Sequence, residues 1–410
     1  MNPTNQVAIV GAGPYGLSIA AHLRARGISC GIFGRPMEVW RLHMPKGMLL
    51  KSDGFASNLS DPAGSFTLKH FCQMRGLPYE DTRLPVPIET FIEYALAFQE
   101  RFAPQLDSRL VAGIERGGDQ YRLRLEDGAE VTARTVVLAV GISHFSYVPE
   151  SLAHLPAELL SHSSAHHDCS VLRGRDVTIL GAGASAVDIA ALMHESGVKV
   201  SLVARASKIR FHDPPRPGPR SLWQRVRNPS SGLGPGWKSR FYTDAPGMFR
   251  YFPEDLRLRI VQNHLGPAPG WPMRQRVEGK VPMLLGYAIV GAQAANGGVR
   301  LTLSASGGVI REHDTEHIVA ATGYKPDIRR LNFLDMAIRN ELRTVGNAPV
   351  LSADFQSSIP GLYFVGIAAA NNFGPMMRFA YGSDYTARRL TSHLEKQMDK
   401  RAYRNSAEDI

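Results

Sequence analysis

An α/β chain with two strand–turn–helix units of the nucleotide-binding kind is predicted by three observations. Val7-Ala-Ile-Val10 runs directly into Gly11-Ala-Gly13-Pro-Tyr-Gly16, and Val177-Thr-Ile-Leu180 runs into Gly181-Ala-Gly183-Ala-Ser-Ala186. After each turn a continuous apolar run gives way to helical spacing, through Leu17, Ile19, Ala20 and Leu23 and again from Val187 to His194. Further short buried runs, at Val136–Val140, Val198–Val203 and Ile318–Ala321, suit parallel strands.

The chemistry of the two turns is specific. Gly11 permits a tight turn, Gly13 lets the backbone approach a pyrophosphate, and Gly16 lets the helix pack close to its strand. Ala12, Pro14 and Tyr15 complete the first motif, whose helix N-terminus then points its N–H groups at the anion. In the second, Gly181, Gly183, Ala184 and Ser185 play the same part, and Ala186 replaces the third glycine. A lone motif of this type is weak, because glycine turns are common. Two of them, each with its strand before and helix after, imply two Rossmann-like dinucleotide-binding domains.

Composition bounds the rest. A chain of 410 residues, 44% hydrophobic and 20% charged, is ordinary for a globular protein of two or three domains. The net charge of +10 comes from scattered Lys and Arg with no basic run interleaved with aromatics, so nucleic acid is not an expected partner. Cys30, Cys72 and Cys169 form no C-x-x-C, which argues against a dithiol centre and for a cytoplasmic protein. No signal peptide is expected. The charge-free span Phe355–Met377 contains two prolines and two asparagines, so it reads as a strand and loop and no membrane partner is expected.

In chain order, Ser29–Phe33 is the second strand. An acid normally stands at its end to hold the adenosine ribose, but here Gly34-Arg-Pro36 intervenes and Glu38 is the first candidate. Trp40 and the polar, glycine-broken stretch Met48–Pro62 follow, suited to lining a ligand site, with Lys51, Asp53 and Asn58 as candidate contacts near a reactive ring. Thr67–Arg75 reads as a helix, Phe91, Tyr94, Ala95 and Phe98 as the core face of another, and Leu110–Val140 as a strand meander.

After the second motif the strand Val198–Val203 ends at Arg205. An acid there selects NADH, whereas arginine accepts a ribose 2′-phosphate; with Lys208 and Arg210 it favours NADPH, NADH being the alternative. Asp213–Gly247 reads as a long Pro/Gly-rich loop. Its Gly232-Leu-Gly234-Pro-Gly236 has no strand before it and is no phosphate loop. His162, His166, His167, Asp168 and Cys169 lack a second ligand pair, so no metal is expected. The chain closes with a strand, Leu362–Gly366, a loop through Asn371–Arg378, and a helix from about Ser383 to Met398.

The two motifs, with Ala321-Thr-Gly-Tyr324 and Pro360-Gly-Leu-Tyr-Phe-Val-Gly366, resemble the flavin-containing monooxygenase superfamily. The resemblance covers nearly the whole chain. It implies FAD at Gly11–Gly16, with Trp40, Gly366, Asn371 and the Lys51 and Arg378 loops near the flavin. It implies NADPH at Gly181–Ala186, in a domain of residues 169–317 inserted into an FAD domain of 1–168 and 318–410. The family's Phe-x-Gly-x-x-x-His-Ser-x-x-Tyr is kept only at His162-Ser163, Pro156, Glu158 and His166 replacing the rest, which departs from its amine/sulfide and Baeyer–Villiger branches. Gly47–Pro62 and Phe33–Trp40 look closer to bacterial FAD-dependent urate hydroxylases.

The implied activity, urate-hydroxylase-like or N-hydroxylase-like, is a single-component monooxygenase in which NADPH reduces FAD and a C4a-hydroperoxyflavin hydroxylates a small nitrogen-containing or heteroaromatic substrate. Lys51, Asp53, Asn58 and Arg378 are then the candidate catalytic residues, with His162 orienting the nicotinamide. The arginines at 210, 216 and 220 suit an anionic or heteroaromatic substrate such as urate, and equally a solvated lid. A reductase passing electrons to a protein or quinone uses the same two folds, and a nucleotide-binding regulator is the third reading.

Overall fold

The computed structural model describes residues 4–408, except 215–217, 219–220, 265, 267 and 296. β1 (Thr4–Val10) passes through the first glycine turn into α1 (Pro14–Ala25) and β2 (Cys30–Phe33). α2 (Glu38–Leu42), α3 (Leu68–Arg75) and α4 (Ile88–Phe102) lead to the meander β3 (Val111–Gly117), β4 (Gln120–Leu125) and β5 (Glu130–Leu138). The second unit follows as β6 (Leu160–His162), β7 (Asp176–Leu180), α5 (Ala184–Glu195) and β8 (Lys199–Ala204). Next come α6 (Leu222–Arg227), α7 (Trp237–Asp244), α8 (Glu254–Asn263) and α9 (Arg274–Val277), then β9 (Met283–Leu285), β10 (Tyr287–Ala295), β11 (Gly298–Ala305), β12 (Ile310–Thr315) and β13 (His317–Ala320). The chain ends through α10 (Met336–Glu341), β14 (Thr344–Val345), β15 (Ala348–Pro349), β16 (Leu362–Phe364), α11 (Ala370–Phe373) and α12 (Gly382–Glu408).

β5 organises the first sheet. From Thr132 to Leu138 it pairs parallel with β1; on its other edge the first half pairs antiparallel with β4 and the last part parallel with β16. The sheet thus runs β2-β1-β5 and then splits into β4-β3 and β16. α1 is buried on every side from Pro14 to Leu23 save for Tyr15, because it lies between this sheet and α12, and its polar Ser18 and His22 are hydrogen-bonded to Pro14 and Ser60. α4 instead buries one stripe, Ile88, Phe91, Tyr94, Ala95 and Phe98, at helical spacing. Tyr94 satisfies its buried hydroxyl by donating to the Phe66 carbonyl at 2.9 Å and accepting from Leu59 N–H at 3.1 Å.

The second sheet is wholly parallel, in the order β6-β13-β7-β8-β9, with the antiparallel ribbon β10-β11-β12 beside it. Both expected domain edges shift here. β6 lies before residue 169 and β13 runs past 317, yet each is a strand of the second sheet, Ile318 pairing with Leu160. Residues 213–247 are also not one loop, since α6 and α7 lie within them. Among the described residues no helix is long and apolar enough to cross a membrane.

Candidate active site

The first glycine turn divides its labour by position. Gly11 has φ +112°, and a Cβ there would stand 2.3 Å from the Ala139 carbonyl oxygen. A Cβ on Gly16 would stand 1.9 Å from the Gly11 carbonyl oxygen. Both are glycine for internal packing. A Cβ on Gly13 would meet nothing within 4 Å, so open space faces the backbone where a pyrophosphate would lie. α1 begins there without a side-chain cap or an acid in its first turn, which leaves its N–H groups for an anion.

The second turn repeats the plan. Gly181 has φ +139° and packs against the Ala321 carbonyl, where a Cβ would come within 2.6 Å. Gly183 precedes α5, which again has neither side-chain cap nor first-turn acid; Ala184 and Ala186 are buried and Ser185 is exposed. Arg205 and Lys208 stand exposed just past β8, as does Arg210, while Arg216 and Arg220 lie outside the described residues.

The C-terminal segment closes on the first turn through Tyr15. Its hydroxyl donates to the carbonyls of Phe379 at 2.9 Å and Met377 at 3.1 Å. Its ring stands 3.6 Å from where a Gly366 Cβ would be, and burial holds its phenol well above the ordinary range. Trp40 packs on Phe91 with ring centroids 4.7 Å apart. Gly34 has φ +127°, a conformation that strains an L side chain, which is a physical reason for no acid at that position. Glu38 instead pairs with Arg35 at 2.8 Å, and Arg35 also reaches Glu126 at 3.1 Å.

Lys51 and Arg378 come within electrostatic reach of each other, and two residues not singled out in the sequence join them. One is Asp188, 6% exposed on α5. Gly47 approaches Leu192 Cδ2, a hypothetical Cβ coming to 3.4 Å, and Leu192 lies one turn beyond Asp188 on the same helix face. The loop carrying Lys51 therefore runs along α5. Lys51 remains reachable from solvent, yet desolvation leads in pushing its ammonium down to about 8; Asp188 opposes this and Arg378 adds to it. Burial pushes the Asp188 carboxyl up to about 7 against the attraction of Lys51 and Arg276. The second addition is His212, whose imidazole is lowered by burial and then by Lys51.

A lysine near 8 beside a carboxyl near 7 can hold or yield one proton at neutral pH. Arg378 donates to the Val261 carbonyl at 2.9 Å, at the C-terminal end of α8, and burial lowers its pKa. Asp53 is half-buried, and burial raises its carboxyl.

Other candidates are committed to the scaffold. Asn58 donates to the Phe55 carbonyl at 2.9 Å and accepts from Leu68 N–H at 2.8 Å, so both ends of its amide hold the turn before α3. Asn371 donates to the Val345 carbonyl at 3.0 Å. His162 accepts from Ser164 N–H at Nδ1, which assigns its proton to Nε2, where the Gly323 carbonyl stands at 3.1 Å. The ring thus ties β6 to the Thr322–Tyr324 turn.

The family model for the pyridine nucleotide-disulphide oxidoreductases matches residues 5–216. Indole-3-pyruvate monooxygenase YUCCA1 of Oryza sativa subsp. japonica is 28% identical over 206 residues, 48% of this chain and 47% of that protein. The FAD-dependent urate hydroxylase of Xanthomonas campestris pv. campestris is 42% identical over 81 residues, 19% and 17% of the two chains. The chain thus spans about half or less of the length of the curated relatives it matches. In fold it is similar to an ornithine N-hydroxylase of Kutzneria sp. 744, solved with reduced FAD, NADP+ and L-ornithine, at a TM-score of 0.74 and 18% identity, over 97% of this chain and 100% of that one. The resemblance to flavin-containing monooxygenases, and the two-domain flavoprotein fold that it implied, hold in these comparisons.

Proposed function

The chain belongs to the pyridine nucleotide-disulphide oxidoreductase family, and from that premise we propose that it is an FAD-dependent monooxygenase. It uses NADPH and O2 to hydroxylate a small nitrogen-containing or heteroaromatic substrate. The observation that carries this reading is Lys51, on a loop that approaches the helix of the second glycine turn, within electrostatic reach of Asp188 on that helix and of Arg378, in a chain without a dithiol. Cys30, Cys72 and Cys169 are all free and well separated in sequence, which argues against a disulfide as the electron acceptor.

FAD fits the first turn, where Gly13 leaves room, and NADPH fits the second, with Arg205 and Lys208 for the 2′-phosphate. Bound flavin supplies hydride acceptance and oxygen activation. The chain's part is position and charge. Lys51 and Arg378 offer positive charge to an anionic ring or substrate. Asp188 keeps Lys51 protonated, and Tyr15 holds the 377–379 loop over the first turn.

The decisive experiment is oxygen uptake by the purified, FAD-loaded protein with NADPH and candidate substrates such as urate, ornithine and indole-3-pyruvate. Substrate-dependent uptake with a hydroxylated product supports the proposal. NADPH consumption that needs an added acceptor and no O2 replaces it with the reductase reading.

A further inference from the structure

Residues 214–243 contain six Lys or Arg and no Asp or Glu. Two of the six, Arg216 and Arg220, lie outside the described residues; the others surround an apolar face. α6 is set by a complete capping box, Ser221 accepting from Gln224 N–H and Gln224 accepting from Ser221 N–H. On it Leu222, Trp223 and Val226 are 78%, 83% and 61% exposed, and their spacing places them on one side of the helix. Trp237, 60% exposed at the start of α7, donates its indole N–H to the Val226 carbonyl at 3.0 Å and so joins the same patch. Arg225, Arg227 and Lys238 are exposed and have no acidic partner among the described residues, whereas Arg240 is held by Asp244 at 2.9 Å.

We propose that this face docks on an anionic lipid bilayer. Trp223, Leu222, Val226 and Trp237 enter the boundary between headgroups and acyl chains, and Arg225, Arg227 and Lys238 meet lipid phosphates. Tryptophan and arginine on one short amphipathic surface are the pairing that an interface of this kind retains. Charge disfavours the main rival occupant. A second copy meeting this one about a two-fold axis would bring two acid-free basic patches face to face. The docking departs from the expectation of no membrane partner, which rested on the lack of a spanning segment; surface binding needs none.

The test is co-sedimentation of the 410-residue chain with vesicles of pure phosphatidylcholine and of phosphatidylcholine mixed with phosphatidylglycerol. Binding is expected to the mixed vesicles only, and to vanish near 1 M salt as the charges are screened. Each basic residue is worth about fivefold in affinity, so Arg225→Glu/Arg227→Glu is expected to lose about 25-fold or more. Leu222→Ala/Trp223→Ala is expected to lose at least about tenfold, with an unchanged melting temperature because both side chains are exposed. Quenching of wild-type tryptophan fluorescence by bromine-labelled lipids checks insertion without any variant. Absence of binding to mixed vesicles, or variants that bind like the wild type, overturns the proposal. So does a loss of self-association, rather than of vesicle binding, on replacing Leu222 and Trp223.

Discussion

Asp188, buried on the helix of the second glycine turn, lies within electrostatic reach of Lys51, which arrives on the loop between α2 and α3. The two glycine-turn units are thus linked electrostatically through this pair.

The signs are opposite for the two partners. Burial lowers Lys51 in the folded state, so its positive charge costs stability below about 8, and that cost fades between 8 and its ordinary 10.5. Burial raises Asp188, so its negative charge costs stability above about 7, and that cost fades as pH falls toward 3.8. Both are mostly charged only in the narrow window between. Asp188→Asn removes the group that holds Lys51 up. The pH midpoint for amine labelling of Lys51, followed by mass spectrometry, is expected to fall below about 8. The variant's melting temperature relative to wild type is expected to rise between pH 5 and pH 8. An unmoved labelling midpoint removes Asp188 from the site.

Gly13→Ala and Gly16→Ala separate binding from packing. The added methyl at 13 meets open space at an ordinary φ of −89°, whereas at 16 it strikes the Gly11 carbonyl. Gly16→Ala is expected to cost about 3 kcal/mol or more and to yield little folded protein. Gly13→Ala is expected to melt near the wild-type temperature yet purify with less FAD. Full flavin occupancy in Gly13→Ala counts against the first turn as the FAD site.

Arg205→Ala tests the cofactor assignment. The KM for NADPH is expected to rise roughly tenfold, the order of about 1.4 kcal/mol for a lost charge-assisted contact, while the KM for NADH changes little. Equal rises for both cofactors would mean that Arg205 does not read the 2′-phosphate.

Tyr15→Phe keeps the ring and deletes the hydroxyl that holds the Met377 and Phe379 carbonyls. A loss of about 1–2 kcal/mol is expected, seen as a lower midpoint in urea, with faster proteolysis near residues 375–380. Unchanged proteolysis there would show that the loop is held by other contacts.

Much of this arrangement was legible in the sequence, because a buried strand followed by a glycine turn and helix leaves a local pattern. The edges of the second sheet were not. β6 is three residues, Leu-Ser-His, and its pairing with β13 is a tertiary fact without periodicity of its own. α6 did leave a sign, the Ser221–Gln224 capping box, inside a stretch whose prolines and glycines read as loop. Among site residues, Lys51 and Arg378 stood out by charge in polar loops. Asp188 left a subtler mark, a lone acid within Val187-Asp-Ile-Ala-Ala-Leu-Met193, where every other side chain is apolar. Asn58 looked like a ligand contact for the reason that makes it a good turn brace: a short amide bonds a backbone as readily as a cofactor.

β5 has a consequence for how the chain reaches this structure. Its last residues pair with Leu362–Phe364, and Val136 N–H donates to the Gly361 carbonyl at 2.8 Å. During synthesis the last part of this β5 edge therefore waits unpaired until more than two hundred further residues have emerged. Val136, Val137 and Leu138 form that waiting edge, an apolar template for strand addition. The nascent chain is most exposed to aggregation in this interval, and the second sheet, whose strands all lie before residue 321, has time to form first.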